Sequence, residues 1–137
     1  MEQANQQTYD LICFTDLAYE FDFSDKKETE RKIKRRLKYY GLADYNQERT
    51  EYIRALKNDL YAEISLGTKS SYFQKSKSHY ADLEDYKFEK MKLDYLKKYD
   101  SITEDDMNGI LNFAIYLVKN LKKQVPFYQI LKTTNIM

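Results

Sequence analysis

Apolar residues recur at intervals of three and four along most of this 137-residue chain. Such spacing places them on one face of a helix. A first helix is expected from about Thr8 to Phe21, followed by a break at "DFSDKKE". A second should run from a cap at Asp25 to Tyr40, because Gly41 can adopt the left-handed conformation that ends a helix.

The middle of the chain carries two more helical patterns separated by a polar segment. The third predicted helix is capped near Asp44 or Asn46 and ended by Gly67. Residues 68–79 are rich in Ser and Lys, which is typical of a linker or exposed loop. A fourth helix is expected over residues 80–99.

The fifth helix has the most regular pattern. Its apolar positions are Met107, Ile110, Leu111, Ala114, Leu117, Val118 and Leu121. Ser101 and Glu104 have the spacing of a capping box at its start, as Asp25 and Glu28 have before the second helix. The helix should end near Gln124, and "PFYQIL" predicts a short final helix or turn.

These patterns predict an all-α fold of five or six helices. An N-terminal helical unit would occupy residues 1–67, and a C-terminal helical hairpin, serving as core or dimerisation element, residues 80–137. The residues expected to be buried in the first three helices are Leu11, Phe14, Leu17, Ala18 and Phe21; Ile33, Leu37 and Tyr40; and Tyr52, Ile53, Leu56, Leu60 and Ile64. In the fourth helix, Leu83, Tyr86, Lys90, Leu93 and Leu96 are arranged unevenly.

Composition agrees with a helical domain. The chain is 42% hydrophobic and 33% charged, with only three glycines and one proline for tight turns. A single cysteine allows no internal disulfide and favours a reducing compartment. There is neither a secretory signal pattern nor an apolar run of membrane-spanning length, so a cytoplasmic location is expected and no membrane partner.

Catalysis is not expected. The chain has one histidine, His79, and one cysteine, Cys13, which are too few for a Cys/His zinc site. His79 is expected at the surface and Cys13 as a small buried apolar residue. No glycine-rich phosphate loop occurs, and the acidic residues 104–106 suit the positive end of a helix dipole. No metal, cofactor or small-molecule substrate is therefore predicted.

Charge is strongly segregated along the chain. Residues 1–25 carry six acidic and no basic side chains, whereas residues 26–40 carry eight basic and two acidic ones. A helix with a narrow apolar ridge and cations elsewhere could lie against duplex DNA, with Lys meeting phosphates and Arg meeting base edges. The predicted contact residues are Arg31, Lys32, Lys34, Arg35, Arg36, Lys38 and Tyr39.

The segment "FTDLAYEFDFSDKKETERKIKRRLKYYGL" resembles the small helix-turn-helix regulators of phages and plasmids. A short apolar helix with Leu17 and Ala18 precedes a break and a second helix, although the break lacks the usual glycine and the first helix is acidic. The resemblance implies a DNA-binding protein of a mobile genetic element that regulates transcription or replication. A homodimer joined through the C-terminal hairpin would then match half-sites about one helical turn apart.

Two alternatives stay open. The acidic side chains Asp10, Asp16, Glu20, Asp22 and Asp25 could lie against the basic helix and neutralise it. The protein could instead modulate or inhibit a protein partner, since tyrosine is favoured at recognition surfaces. The residues of that surface would be Tyr72, Phe73, Tyr80, Tyr86, Tyr95 and Tyr99.

Overall fold

The protein is all-helical. The computed structural model describes residues 7–20, 25–74 and 86–124, with side chains to residue 118. These ranges hold five α-helices and no strand, which confirms the predicted fold class. The helices are α1 (Tyr9–Leu17), α2 (Lys26–Tyr39), α3 (Gln47–Ser65), α4 (Phe88–Lys98) and α5 (Glu104–Gln124), with a 3₁₀ turn at Gly67–Lys69.

Helix α1 is enclosed by the other helices. It contacts α2, α3 and α5, and the hydroxyl of Thr8 caps it by accepting from the backbone N–H of Leu11 at 3.2 Å. Buried residues therefore lie on more than one face of α1. Ile12 and Cys13, which are not part of the predicted apolar stripe, are fully buried. Cys13 is confirmed as a small buried residue, while the predicted position of Phe21 lies outside the described residues.

Helices α3 and α5 form the centre of the core. Asn46 caps α3, accepting from the backbone N–H of Arg49 at 2.7 Å, and Gly67 follows its end with φ +59°. The predicted apolar faces of both helices are buried where side chains are described, although Tyr52 is only half-buried, and the side chain of Leu121 lies outside the described ones. The buried positions are Ile53, Leu56, Leu60 and Ile64 in α3, and Met107, Ile110, Leu111, Ala114, Leu117 and Val118 in α5. Because α5 packs on α1, α3 and α4, all five helices contribute to one core.

Both predicted capping boxes are wrong. Asp25 has helical dihedral angles and makes no side-chain capping bond to α2. At α5 the cap is Thr103, whose hydroxyl accepts from the backbone N–H of Asp106 at 3.1 Å. Ser101 is instead held by Arg49 of α3, whose guanidinium donates to the Ser101 carbonyl at 3.1 Å.

The fourth helix begins later than predicted. Tyr86 forms an isolated antiparallel bridge with Phe73, so the helix starts only at Phe88. Its buried face carries Met91 and Tyr95, whereas Leu93 is 58% exposed. Tyr95, which was expected on the alternative surface, supplies part of this buried face.

Candidate nucleic-acid interface

Helix α2 is held to the core by one narrow face. Ile33 and Leu37 are 0% and 2% exposed, as predicted, and Thr29 one turn earlier is also buried. Tyr40 was expected to complete this ridge, but it is 44% exposed at the end of the helix. The other sides of α2 carry most of its cations outward.

The end of α2 is fixed by a Schellman motif. Gly41 has φ +66°, and the backbone N–H of Leu42 donates to the Leu37 carbonyl at 2.9 Å. The backbone N–H of Gly41 donates to the Lys38 carbonyl at 3.1 Å. This end presents Tyr39 and Tyr40, whose rings are perpendicular with centroids 4.9 Å apart.

Two of the predicted contact residues form ion pairs within the helix. Arg31 donates to Glu28, and Lys34 lies 2.8 Å from the Glu30 carboxylate. The hydrogen bond from Arg31 lowers the pKa of Glu28, and the bond to Glu30 raises the pKa of Lys34. Both cations are more than half exposed, so these pairs hold them loosely and leave them open to an anion.

Three other predicted contact residues point outward without such partners. Lys32, Arg35 and Lys38 are exposed, and their side chains form no hydrogen bond or ion pair with any described residue. Tyr39 is 81% exposed on the same helix.

Arg36, by contrast, faces the protein. Its guanidinium donates to the Asp16 carboxylate at 2.9 Å and to the Thr15 hydroxyl at 3.1 Å, both on α1. The second oxygen of Asp16 is buried without a hydrogen-bond partner. Arg36 therefore joins α1 to α2 and is less available for DNA than its neighbours along the helix.

The acidic segment pairs mainly with α3, which the sequence analysis did not anticipate. The Asp10 carboxylate accepts from Arg49 at 2.6 and 2.9 Å, and that of Glu20 from Arg54 at 2.7 and 2.9 Å. Lys57 donates to the Glu20 carbonyl at 3.1 Å. A signal was present in the sequence, since Lys57 lies four residues after Ile53 and three before Leu60, on the buried side of α3.

Of the acidic residues proposed to neutralise α2, only Asp16 does so through a described contact. Asp10 and Glu20 are bound to α3, and Asp22 lies outside the described residues. Lys32, Arg35 and Lys38 are therefore not neutralised by any described acidic residue.

A groove of about 680 Å³ opens beside the C-terminal half of α2. It is lined by Lys34, Leu37, Lys38, Gly41, Leu42, Ala43, Asp44 and Tyr45. The ammonium of Lys34 lies 5.2 Å from the centroid of the Tyr45 ring, a cation–π distance. The groove extends the cationic surface around one side of the helix.

The tyrosines of the alternative surface lie mostly inside the protein. Tyr86, Tyr95 and Tyr99 are 4%, 5% and 8% exposed. The Tyr95 and Tyr99 rings are stacked at 6.2 Å, and both hydroxyls donate to Asp59 of α3, at 3.3 and 2.9 Å. Tyr72 is half-buried and donates to Asp94 at 2.7 Å.

The two remaining residues of the alternative surface are Phe73 and Tyr80. Phe73 is half-buried at its bridge with Tyr86, and Tyr80 lies outside the described residues. Tyr72, Tyr86, Tyr95 and Tyr99 thus lie between α3 and α4, and these four described residues of the alternative surface form no contiguous exposed patch.

The described residues do not bring together the ligands of a metal site. They contain no cluster of three His, Cys, Asp or Glu residues that could hold a metal. Burial raises the pKa of the Cys13 thiol to about 11, which makes it a poor nucleophile at neutral pH. His79 lies outside the described ranges.

The chain matches no known protein family, curated protein or solved structure. Within the described ranges no helix combines the length and the apolar character needed to cross a membrane. The feature of the described residues that bears on a function is therefore α2 with its exposed cations.

Proposed function

We propose that the protein is a non-enzymatic DNA-binding regulator that contacts double-stranded DNA through the outward face of α2. The observation that carries the proposal is the set of three exposed cations, Lys32, Arg35 and Lys38, on a helix anchored by Ile33 and Leu37. Arg31 and Lys34 add to this surface, because exposed intrahelical pairs are weak and exchange readily for phosphate contacts.

The pairing of the N-terminal acidic residues with α3 rather than α2 supports the same proposal. Had the acidic segment covered α2, its cations would be satisfied internally. Instead Asp10 and Glu20 are bound by arginines of α3, and among the described contacts only Arg36 is lost from the surface. A helix that keeps a surplus of outward cations attracts a polyanion over distances of about a Debye length.

In this proposal α2 is the recognition helix and α1 supports it, as in the phage and plasmid regulators that the segment resembles. The regulated process would be transcription or replication, and a homodimer would match a two-fold site.

The first test is a titration of random-sequence duplex DNA at several salt concentrations. The wild-type protein should bind with an affinity that falls steeply with salt, by about 0.9 log units per log unit of salt for each phosphate neutralised. In the double variant Arg35→Ala/Lys38→Ala, the slope of log affinity against log salt concentration should be shallower by about 1.8, because two phosphate contacts are lost.

A matched control is Lys87→Ala/Lys97→Ala, which removes the same charge from exposed positions before and within α4. It should leave the slope at the wild-type value. Equal changes in both variants would mean that net charge alone governs binding, and absence of wild-type binding at low salt would overturn the proposal.

A further inference from the structure

The ring of Tyr39 stands out on the basic helix. Its exposed fraction of 81% exceeds that of every other large apolar side chain in the described ranges. An apolar ring left in water at this position gains from any contact that covers its faces. Its location at the end of a cationic face points to an aromatic and anionic ligand.

The arrangement of Tyr39 with Tyr40 gives the ring support. The two rings meet at 90°, with centroids 4.9 Å apart, in the edge-to-face geometry that aromatic pairs prefer. The backbone behind them is set by the left-handed Gly41. A side chain held in place by its neighbour loses less conformational entropy on binding than an isolated one.

Cations precede Tyr39 along the same side of α2. Arg35 lies one turn earlier and Lys32 almost two turns earlier, about 10 Å along the helix axis. Neither side chain forms a hydrogen bond or ion pair with a described residue. An exposed ring beside outward cations is the combination that binds bases by stacking and their phosphates by charge.

We infer that this surface binds nucleic acid carrying an unpaired nucleotide, whose base stacks on Tyr39 while its backbone follows Arg35 and Lys32. The inference rests on the proposed function and specifies its ligand. In a continuous duplex the faces of each base are covered by the neighbouring base pairs. A protein ring can therefore stack freely on an unpaired base, whereas at a blunt end it reaches only one face of a base that stays paired.

The test compares a blunt duplex with the same duplex extended by a short single-stranded overhang. The wild-type protein should bind the extended DNA more tightly, and Tyr39→Ala should weaken that binding about tenfold while affecting the blunt duplex, whose end pairs each expose a single face, much less. Tyr39→Phe keeps the ring and should retain the wild-type affinity for both. Tyr116→Ala removes a tyrosine that is 66% exposed on α5 and should change neither.

The outcomes separate this inference from the proposed function. Salt-dependent binding of the blunt duplex, without any Tyr39-dependent gain from the overhang, would overturn the inference and leave the proposed function standing. Equal losses of affinity for the two DNAs in Tyr39→Ala would likewise overturn the base-stacking role. If the wild-type protein binds neither DNA, both proposals fail.

Discussion

At the residue scale, Glu20 is the anchor of a buried charge cluster. Its fully buried carboxylate accepts two hydrogen bonds from Arg54, and its backbone carbonyl accepts one from Lys57. Burial opposes the charge on Arg54, but its hydrogen bonds to Glu20 and Glu51 outweigh that effect and raise its pKa. Burial lowers the pKa of Lys57, so this ammonium also depends on Glu20 nearby.

Replacing Glu20 by alanine should lower the free energy of unfolding by about 3 kcal/mol, because it leaves a buried guanidinium without its bidentate partner. Urea denaturation of the two proteins measures the difference.

The control for this change is Glu28→Ala, which removes an exposed glutamate paired with Arg31. Its effect on stability should be far smaller, since exposed pairs contribute little. Equal losses in the two variants would show that the Glu20 pair contributes no more than a surface pair.

At the scale of the element, α2 depends on its ends and its buried ridge rather than on its charges. Exposed pairs such as Arg31–Glu28 add only a few tenths of a kcal/mol to a helix in general. Eight cations within fourteen residues repel one another. Ile33 and Leu37 supply the apolar burial that offsets this repulsion, and Gly41 allows the chain to turn away.

The two glycines Gly41 and Gly109 should respond to alanine with opposite signs. Gly41→Ala should destabilise the protein by about 1 kcal/mol, because φ is +66° there even though the space around a Cβ is open. Gly109→Ala lies within α5, where a Cβ would be in ordinary contact with Leu11 at 3.4 Å, and should stabilise by up to about 1 kcal/mol.

Thermal or urea unfolding of both variants checks this pair. A stabilising Gly41→Ala would mean that the end of α2 does not require the left-handed conformation. A strongly destabilising Gly109→Ala would mean that α1 and α5 pack too tightly to accommodate one added methyl group.

At the scale of the whole molecule, hydrogen bonds tie distant parts of the chain together. The Thr8 hydroxyl donates to Asp106 at the start of α5 at 2.9 Å, and the Tyr61 hydroxyl of α3 donates to the Ala18 carbonyl at 2.7 Å. Many of the buried groups are weak acids that are neutral at pH 7. Burial raises the pKa values of Cys13, Tyr61, Tyr95 and Tyr99.

These raised pKa values predict that stability falls in alkali. Each group binds its proton more tightly in the folded state, so its contribution is fully present below the unfolded pKa and is lost as the pH rises above it. The loss begins near pH 9.0 for the thiol and pH 10.0 for the tyrosines. Urea denaturation at increasing pH should show a falling free energy of unfolding, by about 1.4 kcal/mol per pH unit for each proton released.

The variant Tyr61→Phe isolates one of these groups. It removes a phenol whose pKa burial raises well above 10.0, so its stability should fall less steeply above that pH than the wild type does. An unchanged slope would mean that Tyr61 ionises as readily in the folded protein as in the unfolded chain.

Much of the helical order could be predicted from the sequence because it depends on local chemistry. The α3 cap at Asn46 and the α2 end at Gly41 follow from residues within one turn of each helix end. The Thr103 cap of α5 was missed because Ser101 and Thr103 are both chemically suitable, and Arg49 of α3 takes Ser101. Tyr95 was assigned to a surface because its amphipathic ring suits either a core or an interface.

In the candidate site, too, some features follow from the sequence and others depend on the tertiary structure. That α2 would be basic, with Ile33 and Leu37 as its ridge, follows from spacing alone. That Arg36 turns inward while Arg35 stays exposed depends on where Asp16 of α1 is placed. The groove beside Lys34 and Lys38 depends on how the chain returns after Gly41.

By itself the sequence determined most of the helical segments, where α2 and α3 end, and that cations concentrate on α2, since periodicity and capping act over one or two turns. Only the tertiary structure decided which charges satisfy one another. Asp10 and Glu20 could have neutralised α2, but the packing of α1 brings them to Arg49 and Arg54 of α3. Ion pairing depends on separations of a few ångströms between residues distant in sequence, which no local pattern encodes.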